Sequence, residues 1–125
     1  MTTEEKELII KDICAKLPYG LKVHTDSSDM YIETIEGISL DKGLLRVNHN
    51  NIFSSIIIEH CKPYLRPMSS MTNREKAEYT SLRSKGGYDW DEYEANKLIS
   101  WLDKNMFDHR GLIKKDLALP LTPEQ

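Results

Sequence analysis

The sequence lacks the usual marks of a secreted or membrane protein. It has two cysteines, Cys14 and Cys61, which are too few for the disulfide framework of a small secreted domain. Its apolar runs, such as residues 8–10 and 56–58, are far shorter than the roughly 20 residues that a membrane helix needs. Residues 1–7 are polar and acidic, whereas a signal peptide begins with a basic and then an apolar stretch. We therefore expect reduced thiols, a cytoplasmic location and no membrane association.

The chain also lacks a surplus of positive charge. It carries 17 Lys and Arg against 20 Asp and Glu, which gives a formal net charge of −3. Proteins that bind nucleic acid through its phosphates draw much of their binding free energy from cations that release counterions. The charge balance therefore disfavours nucleic acid as a partner and predicts a mixed, soluble surface.

The remaining composition is typical of one globular domain. The chain has 125 residues, of which 39% are apolar and 30% are charged. A length of this order suits a single domain over residues 1–125. Such a domain buries roughly two-thirds of the surface that its unfolded chain exposes. A core can therefore form without metals or disulfides.

The first segment predicts an amphipathic helix over about 3–16. Thr2 and Glu5 have the spacing of a capping box, in which each side chain accepts a hydrogen bond from the other residue's backbone amide. Apolar residues recur along the segment at helical spacing. Pro18 and Gly20 then end the helix, because proline has no amide hydrogen to donate and glycine tolerates the turn.

Residues 21–59 change to an alternating pattern that predicts short strands. The polar clusters at 26–29, 41–43 and 48–51 have the composition of turns. The run 55–58 fits a strand or a short helix, and its β-branched residues favour a strand. We expect a small antiparallel meander, either open or curled into an SH3-like barrel.

After the sheet, two prolines predict an extended strap over 62–71, because a proline disfavours helical backbone in the residue before it. A helix over about 73–84 follows, with Thr72 and Glu75 as a second capping box. A last helix over about 91–106 has the strongest helical stripe in the chain, formed by Ala95, Leu98, Ile99, Leu102 and Met106. The predicted fold class is therefore α+β, with an N-terminal helix, an antiparallel sheet and two C-terminal helices.

No arrangement of reactive residues predicts a catalytic or metal site. His60 and Cys61 are adjacent on a predicted strand, so their side chains would point to opposite faces. Residues 86–87 lack the spaced glycines and the following Lys-Ser/Thr of a phosphate loop. The histidines occur singly, without the paired ligands of zinc sites: His24, His49, His60 and His109. We therefore predict no catalytic residue, no metal ligand and no cofactor.

An acidic and aromatic segment at 88–94 has two interpretations. Its carboxylates are explained by the positive end of a helix dipole, which favours anionic side chains. Tyr88 and Trp90 either pack on the core or form a recognition patch, since these residue types are enriched at interaction hot spots. Both interpretations stay open from the sequence.

Three stretches of the chain resemble one family. Residues 62–72 read KPYLRPMSSMT, residues 101–113 read WLDKNMFDHRGLI and residues 11–20 read KDICAKLPYG. Together they resemble a family of small uncharacterised proteins from gut anaerobic bacteria and their phages and mobile elements. The resemblance extends over most of the chain except the middle, from about residue 25 to residue 59. It implies no known activity, cofactor or catalytic residue.

Three functional hypotheses follow. The first is a non-catalytic protein-interaction or accessory module, whose contacts would come from Tyr64, Arg66, Trp90 and Arg110. The second is a nucleic-acid-associated small β-barrel protein, whose cations would be Lys22, Lys42, Arg46 and Lys62. The third is an enzyme of unrecognised type. The absence of a catalytic motif favours the first, and the partner and oligomeric state stay open.

Overall fold

The computed structural model describes residues 1–25, 28–49, 52–84 and 92–121. Three helices and six strands are found in these ranges. In chain order they are α1 (Thr3–Lys16), β1 (Lys22–Thr25), β2 (Ser28–Ser39), β3 (Leu44–His49), β4 (Ile52–Ile57), β5 (Cys61–Leu65), α2 (Asn73–Ser84), α3 (Glu92–Lys104) and β6 (Leu119–Pro120). The predicted α+β class, with an N-terminal helix, a mostly antiparallel sheet and two later helices, is confirmed.

Helix α1 begins where its capping box predicts. The Thr2 hydroxyl accepts a hydrogen bond from the Glu5 amide at 3.1 Å, and the Glu5 carboxylate accepts one from the Thr2 amide at 2.9 Å. The helix ends in a short 3₁₀ turn over Leu17–Tyr19. Gly20 follows with a φ of 79°, a left-handed conformation that glycine adopts without steric cost.

The sheet has the order β4-β3-β2-β1-β5-β6. Neighbouring strands are antiparallel from β4 to β5, and β6 pairs in parallel with β5 through Tyr64 and Leu65. Among the described residues, β4 and β6 do not pair with each other. The described sheet is therefore open with two edges, and it does not close into the SH3-like barrel considered from the sequence.

The strap that the prolines predict is in part a strand of this sheet. Residues 61–65 form β5, which pairs with β1, and Pro63 lies opposite Val23. A proline is tolerated here because β6 pairs only with the next two residues, so the missing amide hydrogen of Pro63 interrupts no ladder on that side. The sequence pattern could not reveal this pairing, since the partners lie 40 residues apart (63 − 23 = 40).

Helix α1 covers one face of the sheet and forms the main core with it. Ile9 and Ile13 of α1 form one core with buried residues in or next to the strands and in the C-terminal segment: Leu21, Val23, Ile35, Leu45, Val47, Ile58, Cys61, Leu65, Leu112, Leu117 and Ala118. We call the opposite face, which carries exposed Arg46, the outer face. Because side chains alternate along a strand, β4 places Ile56 on the core side and Phe53, Ser55 and Ile57 on the outer face.

A second, smaller core joins α2, α3 and the segment that follows α3. It consists of Met71, Leu98, Leu102 and Phe107. Three residues of the predicted stripe, Leu98, Leu102 and Met106, pack on the two cores, whereas Ile99 is 41% exposed. None of the described helices combines the length and the apolar content that a membrane crossing requires.

Candidate functional site: a buried charge cluster and an open sheet edge

Five polar side chains from three segments meet between α1 and α3. We call them the charge cluster: Asp12 and Lys16 of α1, Asp103 of α3, and His109 and Arg110 of the segment after α3. The side chains of Lys16 and Asp12 are fully buried, and that of Asp103 is 5% exposed. Charges at such positions are stable only when each is paired and hydrogen-bonded.

The two carboxylates of the charge cluster share the same donors. Lys16 Nζ donates to Asp12 Oδ1 and also to Asp103 Oδ1 at 2.9 Å. Arg110 donates to Asp12 Oδ1 at 2.7 Å and to Asp103 Oδ1 at 2.9 Å. His109 Nε2 lies 2.8 Å from Asp103 Oδ1. Two carboxylates thus face one ammonium and one guanidinium, so these four formal charges cancel.

These contacts favour the charged forms of Asp103 and Arg110. Burial raises the pKa of Asp103, but hydrogen bonds from His109, Arg110 and Lys16 outweigh burial, so the pKa of Asp103 lies well below its usual range. Burial lowers the pKa of Arg110, but Asp103 and Asp12 outweigh it and raise that pKa above its usual value. Neither group is therefore poised to exchange a proton near neutral pH, which general acid–base catalysis would require.

The charge cluster also contains a set of potential metal ligands. One ligand atom each from Asp12, Asp103 and His109 lies within 4.8 Å of the other two. A divalent cation there would have to displace Lys16 and Arg110, which already neutralise both carboxylates. Because Lys16 and Arg110 pair with both carboxylates, we assign the charge cluster to joining α1 and α3.

A second ion pair fixes the segment between the sheet and α2. Arg66 donates two hydrogen bonds to the Glu75 carboxylate at 2.7 and 2.6 Å, and its guanidinium lies 4.3 Å from the centre of the Phe107 ring. Glu75 also caps α2 with Thr72, as the sequence predicts. The hydrogen bonds from Arg66, aided by the Thr72 cap, lower the pKa of Glu75 to about 2.

The depressed pKa values of Asp103 and Glu75 predict acid sensitivity. A carboxylate whose pKa is lower in the folded state stabilises the fold above its unfolded pKa, and this stability is lost as the pH falls through the folded pKa. For Glu75 the loss extends from its ordinary value of 4.5 down to about 2. Urea titrations from neutral to acidic pH should show a steep fall in the unfolding free energy below pH 4.5, and Glu75→Gln should flatten it. Equal slopes for the variant and the wild type would contradict this assignment.

The residues predicted to contact a protein partner do not form one exposed patch. Arg110 forms ion pairs within the charge cluster, and Arg66 forms an ion pair with Glu75 and lies over the Phe107 ring. Tyr64 is only 9% exposed. Trp90, like the rest of the segment 85–91, lies outside the described residues. Arg66 and Arg110 therefore each have a structural role within the chain.

The four predicted cations are distributed over several elements. Lys22 of β1, Arg46 of β3 and Lys62 of β5 alternate with buried neighbours, and Lys42 lies in the turn between β2 and β3. Lys62 forms an ion pair with Asp116 at 3.0 Å, and the Arg46 guanidinium lies 4.5 Å from the centre of the Phe53 ring. Two of the four therefore already have partners within the chain.

Strand β4 forms an edge that the sequence did not single out. It has six residues, none of them charged and none of them proline. Five of the six are exposed, and Ile52, Phe53 and Ile57 are 68%, 47% and 40% exposed. Edge strands are usually protected by shortness, proline or charge. The other edge, β6, has only two residues and contains Pro120, so the lack of protection is particular to β4.

The sequence carried a signal for the charge cluster but none for the open edge of β4. Asp12 and Lys16 lie within the apolar stripe of α1, four residues apart, where a charged pair indicates burial against another element. Their partner Asp103 could not be inferred, because it lies 87 residues from Lys16. The alternation of apolar and polar residues predicts strands, but it does not give their order in the sheet. The sequence therefore could not show that β4 lies at the edge. No protein family, no curated protein and no solved structure matches this chain.

Proposed function

We propose that this chain is a non-catalytic interaction module that binds a protein partner by strand addition to the edge of β4. The observation that carries the proposal is a six-residue edge without charge or proline that exposes Ile52, Phe53 and Ile57. Strand addition uses the unpaired backbone groups of such an edge for affinity and its side chains for specificity.

The surroundings of β4 support this mode of binding. On the outer face, Phe53 lies under Arg46 of the neighbouring strand, so the aromatic ring is held in place before a partner arrives. Ile57 adds to the apolar surface of the same face of β4, and it is 40% exposed. Apolar residues next to an unpaired edge indicate an interaction surface, because a protein that remains alone gains nothing from exposing them.

The polar clusters support a non-catalytic role. Asp103 accepts hydrogen bonds from Lys16 and Arg110, and Glu75 accepts them from Arg66, so both of these carboxylates already have cationic partners within the chain. Asp103 helps to join α1 and α3, and Glu75 fixes the start of α2. The proposed activity therefore resides at the sheet edge rather than in the charge cluster.

The proposal predicts that a charge on β4 abolishes binding. Tagged wild type and Ile57→Glu would be used for affinity capture from the host, and retained proteins, including untagged copies of this chain, would be quantified. We expect Ile57→Glu to lower the retention of a specific protein at least tenfold, because the carboxylate must lose its hydration in the added-strand interface.

A matched control is provided by Ile99→Glu. Ile99 has the same exposure, 41% against 40% for Ile57, but lies on α3 away from the sheet edge. This variant should retain the same proteins as the wild type, and circular dichroism should show that both variants are folded. Identical sets of retained proteins for the wild type and Ile57→Glu would refute strand addition at β4.

A further inference from the structure

The backbone of β4 points its unpaired groups outward at alternate residues. The Ile58 amide donates to the Gly43 carbonyl at 3.0 Å, so the residue at position 58 bonds towards β3. In an antiparallel pair every second residue bonds to the neighbouring strand. The backbone groups of Ile56, Ser54 and Ile52 therefore face β3, and those of Phe53, Ser55 and Ile57 face the open edge.

This spacing makes the edge complementary to itself. Two copies of a strand that pair antiparallel are related by a two-fold axis perpendicular to the sheet, so a residue faces itself or a residue an even number of positions away. With Ser55 on the axis, Ser55 faces Ser55 of the second copy and Phe53 faces Ile57 at both ends. The three outward-facing residues of each copy then meet each other and exchange roughly six hydrogen bonds.

We infer that the partner bound at β4 is a second copy of this chain, paired antiparallel with Ser55 on the two-fold axis. This inference rests on the proposed function, since it names the partner of that same edge. The arrangement forms two aromatic–β-branched pairs, Phe53 with Ile57, on the outer face, a type of cross-strand pair that stabilises sheets. The edge carries no charge, so the two copies meet without like-charge repulsion across the strands.

The alternative register with Ser54 on the axis is less favourable. It places Phe53 opposite Ser55 and loses both pairs of Phe53 with Ile57. It also leaves the outward backbone groups of Ile57 without a partner inside β4, so fewer hydrogen bonds form. An interface of one strand edge is small, and we therefore expect a reversible dimer with micromolar affinity rather than an obligate one.

Sedimentation velocity and site-specific cross-linking test this inference. Wild type should shift reversibly from monomer to dimer as its concentration rises through the micromolar range. Ile57→Glu should weaken this dimerisation at least tenfold, whereas Ile99→Glu should leave it unchanged. A wild type that stays monomeric at every concentration would overturn the inference.

Cross-linking determines the register. In a Cys14→Ser background, which removes the exposed native thiol, Ser55→Cys should form a disulfide-linked dimer under mild oxidation. The two Cα atoms at position 55 would lie about 5.5 Å apart, within the range that a disulfide spans. Ser54→Cys is the matched control and should not cross-link, because its counterpart lies two positions further along the opposing strand. Equal cross-linking of both variants, or stronger cross-linking of Ser54→Cys, would refute the register.

The failure of this inference can be distinguished from the failure of the proposed function. If wild type is monomeric but Ile57→Glu still loses a captured protein, the second copy is excluded and strand addition to another protein stands. If wild type is monomeric and the captured proteins do not change with Ile57→Glu, both proposals fall.

Discussion

Replacing Lys16 by Met should lower the unfolding free energy by about 3–5 kcal/mol, the cost of leaving a buried charge uncompensated. Lys16 is fully buried, and its ammonium bridges Asp12 and Asp103. Without it, two carboxylates face Arg110 as the remaining permanent cation of the charge cluster. Since domains of this size are stable by about 5–15 kcal/mol, the variant would lose a large fraction of its stability. Urea denaturation followed by circular dichroism measures the loss.

Two controls distinguish the destabilisation caused by an uncompensated buried charge from the destabilisation caused by losing the Lys16 side chain. Removing its partner as well, in Lys16→Met/Asp12→Leu, leaves Asp103 paired with Arg110 and should restore most of the stability, because a buried ion pair can often be replaced by apolar residues at little cost. The exposed pair of Arg74 and Glu78 has the same spacing, and Arg74→Met should change stability by less than about 1 kcal/mol. A double variant as unstable as Lys16→Met would contradict the charge argument.

Replacing Phe107 by Ala should cost about 3–5 kcal/mol, because a fully buried phenylalanine leaves a cavity when it is truncated. The Phe107 ring stacks on Trp101 with a centroid distance of 5.7 Å and lies against the Arg66 guanidinium. The backbone of Arg66 also pairs with that of Phe107 in a short parallel bridge. Truncation would therefore loosen α3 from the segment that leads from the sheet to α2.

The matched control is the other phenylalanine of the chain. Phe53 also lies under an arginine, but it is 47% exposed. Phe53→Ala, measured by the same urea denaturation at a concentration where the chain is monomeric, should lower the unfolding free energy by less than about 1 kcal/mol, since little buried surface is lost. Equal losses for the two variants would show that packing around Phe107 is not what stabilises this part of the fold.

Much of the local structure follows from the sequence, because its determinants are close in the chain. The capping boxes at Thr2 and at Thr72 place the starts of α1 and α2, and both are present in the structure. The change from helical to alternating spacing after Gly20 places the sheet. These signals depend on hydrogen bonds and burial within a few residues, which a linear pattern records directly.

The features that sequence reasoning missed depend on partners that are distant in the chain. The strand β5 was predicted as an extended strap, because nothing near Pro63 indicates that β1 lies beside it. The sequence placed Arg110 at a helix end, either in a structural role or as a possible contact for a partner protein, but it could not indicate that Asp12, 98 residues away, lies beside it. The open edge of β4 is likewise a property of the strand order and not of the residues of β4 themselves.

The positions of the charge cluster constrain how this chain folds during its synthesis. Asp12 and Lys16 leave the ribosome before their distant partners, because Asp103 is made 87 residues after Lys16 and Arg110 is made 98 residues after Asp12. Long-range contacts of this kind form slowly, because closure of a long loop must precede them. Until residue 110 has emerged, Asp12 and Lys16 of α1 have each other as partners but lack Asp103 and Arg110, and this incomplete pairing disfavours burial of α1 on the sheet. The core is therefore completed only after residue 110 has been made. Until then the apolar face of the sheet is not fully covered by α1 and is prone to aggregation.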